Sequence, residues 1–106
     1  MKLGIVLNTN HAETAWNAIR LGNTALKEGH KPSVFLMGSG VEIETIGNQP
    51  YDMPEALAKF VNGGGQLLAC GTCLKSRNKE GGICPVSTMS QLLGLISDSD
   101  KVVSFG

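Results

Sequence analysis

Lys2-Leu3-Gly4-Ile5-Val6-Leu7-Asn8 is a continuous apolar run opened by one basic residue and closed by an amide. It shows no alternation of polar and apolar side chains, so both faces of an extended segment would be apolar, as for a strand inside a parallel sheet. The next residues have a different period. Asn10 and Glu13 stand at capping-box spacing, and Ala12, Ala15, Trp16, Ile19 and Leu26 then recur at helical intervals until Gly29. This predicts a helix over 11–28.

Ser33-Val34-Phe35-Leu36-Met37 is a second short apolar run, closed by Gly38-Ser39-Gly40. Strand, helix and strand in that order make a parallel crossover unit. Asp52, Pro54 and Glu55 open a second helix over 53–62, whose apolar face is Met53, Ala56, Leu57, Phe60 and Val61. Asn62-Gly63-Gly64-Gly65 stops it. Strand three is expected at 66–70, a short helix at 72–79, a further helix at 87–96 and strand four at 101–105. Between Gly40 and Tyr51 a short helix and a pinned loop fit equally. The sum is an α/β fold of one domain over 1–106, with a predominantly parallel sheet, helices on both faces, and strands one and three central.

Bulk composition narrows the function. The 106 residues carry a formal net charge of zero and are 42% hydrophobic, enough for one core. The positive field of a nucleic-acid or anionic-membrane binder is absent, so neither partner is expected. The N-terminal apolar run is too short for a signal peptide core or a bilayer span, which points to the cytoplasm. Three cysteines in such a chain favour thiol chemistry over a disulfide framework.

The carboxyl ends of parallel strands share one edge, where loops and helix starts converge into ligand sites. Three segments should meet on this rim: Asn8-Thr9-Asn10, Gly38-Ser39-Gly40 and Cys70-Gly71-Thr72-Cys73. Cys70 stands where a buried strand passes into a helix, and the backbone N–H groups there favour thiolate. Its pKa is expected below that of a free thiol, with Lys75 and Arg77 adding positive potential and Cys70 the first thiol to react. The alternative is a small buried hydrophobe.

Cys73 completes a CxxC, which also fits a dithiol redox pair. Two crossover units precede it, unlike the early motif of thioredoxin. A zinc site would recruit Cys70, Cys73 and Cys84 with His11 or His30, but the second ligand pair of such sites is missing, so no metal is expected. Gly63-Gly64-Gly65 precedes a strand, and Gly38-Ser39-Gly40 lacks a phosphate-loop lysine, so both read as turns. His11 lies near the rim, where a solvated surface role is favoured over that of a base.

Taken together, Met1–Leu7, Ala25-Leu26-Lys27-Glu28-Gly29-His30, Ser33-Val34-Phe35-Leu36 with Gly40-Val41, Leu68-Ala69-Cys70 and Asp100–Phe105 resemble the DsrE/TusD sulfur-relay family in order and spacing. The resemblance implies a flavodoxin-like three-layer domain, assembly into trimers or hexamers, and passage of persulfide sulfur between donor and acceptor proteins without a cofactor. It places the sulfur-carrying cysteine at Cys70. The relay branch follows that cysteine with an Arg-Gly pair, whereas this chain has Arg77-Asn78 and an added Cys73. Cys73 and Cys84 are then candidates for a resolving or second thiol, Cys84 in a turn between Gly81-Gly82 and Pro85. Against the carrier stand a dithiol redox protein and a non-catalytic oligomeric binding module.

Overall fold

A computed structural model describes residues 1–77 and 86–106. In chain order the elements are β1 (Lys2–Leu7), α1 (Ala12–Lys27), β2 (Lys31–Leu36), a 3₁₀ segment (Gly38–Thr45), α2 (Met53–Asn62), β3 (Gln66–Cys70), α3 (Gly71–Ser76), β4 (Val86–Ser87), α4 (Met89–Asp98) and β5 (Lys101–Phe105). The strands form one sheet in the order β4-β3-β2-β1-β5, and every pairing is parallel. The expected α/β class and parallel sheet are therefore found. β2 occupies the middle, with β1 and β3 interior on either side. The fifth strand, β4, lies partly where a helix start was expected at Ser87. This order also differs from the 2-1-3-4-5 arrangement of flavodoxin itself.

Right-handed crossovers explain the layers. The chain steps one way across the sheet from β1 to β4, then returns past β3, β2 and β1 to place β5 beside β1. The first steps put α1 and α2 on one face, and the return puts α4 on the other. Leu3, Ile5 and Leu7 of β1 are buried together with Val34 and Leu36 of β2, Ile19 of α1, and Leu57 and Phe60 of α2. Truncating a fully buried Phe60 would cost about 3–5 kcal/mol.

The α4 face is thinner. Gly4 lies under it so closely that a Cβ there would sit 2.7 Å from Leu95 Cδ2 and 2.8 Å from Ser99 Oγ. Of α4's residues only Leu92 is buried, while Met89, Leu93 and Ile96 are exposed. β5, its neighbour at the sheet edge, exposes Val102 and Val103.

Helix starts follow local polar chemistry. Asp52 caps α2 by accepting from Glu55 N–H at 3.1 Å. Thr88 and Gln91 form a capping box that fixes the start of α4 at Met89. At α1 the cap is His11 rather than Asn10: Thr14 N–H donates to His11 Nδ1 at 3.4 Å. Asn10 is turned to the rim instead. Trp16 stacks on Tyr51 with ring centroids 4.5 Å apart, and Tyr51 donates to Glu13 Oε2, which ties the segment before α2 to α1.

Candidate functional site

All carboxyl ends of the strands open on one edge because every pairing is parallel. Hydrogen bonds then lace the loops there together. Asn8 N–H donates to Phe105 O at 2.9 Å, Met37 N–H to Leu7 O at 3.0 Å, and Asn10 N–H to Ser39 Oγ at 3.0 Å. Gly38 N–H donates to Cys73 Sγ at 3.2 Å and so joins the β2 end to α3. The three segments read from sequence, 8–10, 38–40 and 70–73, do meet.

The two glycines of the middle segment are required by space and by conformation. Gly38 has φ 55°, in the left-handed region, and its missing side chain leaves room for Asn8 Oδ1. At Gly40 a Cβ would fall on the Leu7 carbonyl oxygen. Close backbone packing of β1 against this turn is what brings Gly38 N–H to the sulfur.

Cys70 ends β3, pairs with Ser87 of β4, and is 3% exposed. Cys73 stands one helical turn further on, and its side chain together with the backbone N–H groups of Cys73 and Thr72 acts on the Cys70 thiol. Burial pushes the Cys70 thiol up, and the Cys73 side chain adds to that; the two N–H groups pull down and are outweighed. The expectation of a lowered pKa is thus reversed. The helix that follows has only six residues, so its dipole is short, and desolvation of the buried thiolate dominates.

Cys73 is half-buried, more open than Cys70, and no disulfide joins the two. Arg77 does not serve Cys70. Its Nε lies 2.9 Å from Glu42 Oε1 and its Nη1 donates to Cys73 O at 3.2 Å, so it clamps the end of α3 to the 3₁₀ segment. Glu42 was not foreseen from sequence, since no local pattern links residues 35 positions apart. Lys75 and Thr72 are exposed on α3, Asn8 and Asn10 are exposed on the rim, and Thr9, Ser39 and Gly71 are half-buried.

Cys84, Gly81, Gly82 and Pro85 lie outside the described residues. Among the described residues no three His, Cys, Asp or Glu side chains come together to hold a metal. His11 is spent on its cap, and His30 precedes β2 at the opposite end of the sheet. A cavity of about 620 Å³ also opens at that far end, lined by Lys2, Lys31, Gln66 and Asp98. It holds none of the thiols. Among the described residues no helix is long and apolar enough to cross a membrane.

A sequence profile described as the DsrE/DsrF-like family matches residues 1–105. The chain belongs to that family. An uncharacterised protein of Methanopyrus kandleri is 34% identical over 100 residues, covering 88% of this chain and 83% of the relative. Another, of Methanocaldococcus jannaschii, is 33% identical over 100 residues, with 88% of each covered. The crystal structure of the ychN protein from E. coli superposes with a TM-score of 0.80 at 20% identity, over 99% of this chain and 100% of that one. That likeness establishes the DsrE-like fold.

Proposed function

We propose that this DsrE/DsrF-like protein is a sulfur-relay subunit that accepts persulfide sulfur on a cysteine thiolate and passes it to another protein, with Cys70 as the carrier. The observation that supports it most is the thiol pair itself: two free cysteines one helical turn apart on the rim where three strand ends converge, one of them held by a backbone N–H. In this reading a thiolate attacks the sulfane sulfur of a donor persulfide, a new S–S bond forms, and the donor leaves as a thiolate. The same exchange run outward loads the acceptor. No cofactor is needed. Asn8, Thr9, Asn10, Gly38, Ser39, Gly40, Gly71 and Thr72 would meet the group that delivers sulfur, with Cys84 a second thiol.

The reading includes cytoplasmic donor and acceptor proteins and a homo-oligomer, trimer or hexamer. Support for the oligomer comes from α4, whose exposed Met89, Leu93 and Ile96 lie at i, i+4 and i+7 and so form one apolar stripe. A second reading, a dithiol redox protein, is favoured by Cys70 and Cys73 standing at CxxC spacing at the start of α3. Intact mass after anaerobic incubation with inorganic polysulfide distinguishes them. A gain of one sulfur, removed by reductant, supports the relay; loss of two hydrogens supports the redox pair; no change removes both and leaves a binding module.

A further inference from the structure

Cys70 has the contacts of a store and lacks those of a receiver. At 3% exposure, its sulfur is covered against a thiol of another protein. Cys73 differs on each point. It is half-buried, it lies one helical turn onward, and its sulfur already accepts the Gly38 N–H, a donor that would hold a thiolate in place. Cys70 caps the helix whose first turn holds Cys73, and the Cys73 thiol is near enough to act on that of Cys70.

We propose, resting on the sulfur-relay reading, that Cys73 is the thiol that meets the donor and that Cys70 is the sheltered seat to which the sulfur then moves. In the first step the Cys73 thiolate attacks the sulfane sulfur of a donor persulfide. The Cys73–sulfur bond forms, the donor's S–S bond breaks, and the donor departs as a thiolate that takes up the proton Cys73 released. In the second step the sulfur of Cys70 attacks the outer sulfur on Cys73. The outer sulfur changes partner, Cys73 leaves as the thiolate, and the Cys70 proton passes to it. Sulfur moves inward and a proton outward, so the exchange needs no oxidant or reductant. Gly38 N–H stabilises the Cys73 thiolate both as attacking and as leaving group. The Cys70 proton, held by burial, is released only as sulfur arrives.

The test is rapid-quench alkylation after mixing with inorganic polysulfide, followed by peptide mapping of wild type, Cys73→Ser, Cys73→Ala and Cys70→Ser. Serine at 73 keeps an acceptor for Gly38 N–H, and alanine does not, so equal slowing in both isolates the thiol from any effect on the loop; thermal melts confirm that each variant folds. In the wild type, sulfur is expected first on Cys73 and later on Cys70. Both Cys73 variants should load Cys70 at least tenfold more slowly, and in Cys70→Ser sulfur should stall on Cys73, where a soluble reductant strips it faster than from wild type. Loading of Cys70 at the wild-type rate without Cys73 overturns this inference and leaves the relay reading standing. Failure of the wild type to take up any sulfur overturns both.

Discussion

Replacing Gly40 with alanine tests whether the rim is built by close backbone approach. The added Cβ would overlap the Leu7 carbonyl oxygen, 3.1 Å from the Leu7 carbonyl carbon and 3.4 Å from Thr9 N. All three are backbone atoms, so no side chain can turn aside. The turn must lift from β1 by several tenths of an ångström or more. That movement strains the Met37 N–H to Leu7 O bond and the Gly40 N–H to Met37 O bond, which anchor it. Overpacking of this kind costs about 1–3 kcal/mol, and one lost hydrogen bond about 1 kcal/mol more. For a chain of this size, a loss of about 2–4 kcal/mol lowers Tm by roughly 10–25 °C. The lifted turn also carries Gly38 N–H away from Cys73 Sγ, so Cys73 should alkylate at a changed rate even well below Tm. Melts and urea titrations at one fixed protein concentration read the first effect, and iodoacetamide kinetics the second. A Tm within 2 °C of wild type with unchanged kinetics would refute the argument, because it would mean that the turn has room the structure denies it.

The pH dependence of stability follows from Cys70. Its folded pKa is raised, so its contribution is complete below the unfolded value of about 8.5 and is lost as pH rises through the folded one; urea midpoints of wild type should fall above about pH 8.5 more steeply than those of Cys70→Ser. His11→Ala should lower stability by about 1 kcal/mol through the lost cap of α1, with His11→Asn restoring it, as read from urea midpoints at constant m. Leu93→Asp places a charge in the exposed stripe of α4 and should reduce the mass seen by light scattering to that of the single chain, with the circular dichroism spectrum kept. An unchanged assembly would remove α4 from the interface.

The elements most legible in the sequence were those with punctuation at both ends. α2 runs from Met53 to Asn62 as expected because Asp52 and Pro54 mark one end and a glycine run the other. β3 and β5 likewise occupy the expected residues. α4 begins two residues later than its apolar spacing predicts, because Thr88 and Gln91 form the capping pair and Ser87 belongs to β4. Two residues of β4 carry no period from which a strand could be inferred; its existence depends on an edge left open by β3. At α1 the cap is one residue later than the Asn10–Glu13 spacing predicts, because Thr14 N–H finds its acceptor in His11 Nδ1.

The rim could be read from sequence because parallel strands all end on one side, whatever their order. The rank of the thiols could not. It depends on the burial of Cys70 and on the Gly38 turn reaching Cys73 across 35 positions, neither of which leaves a local trace. A helix start alone argues for a reactive Cys70, yet the same chain buries it, and burial is the stronger influence on a thiol followed by only six helical residues. A sulfur carrier meets two opposed demands, since the thiol must be open to a partner and its cargo must be shielded from stray thiols. One cysteine at one depth satisfies only one of them. In the proposed relay the added Cys73, which departs from the relay pattern the sequence otherwise resembles, would divide the demands between an open thiol with a backbone donor and a covered one a helical turn away.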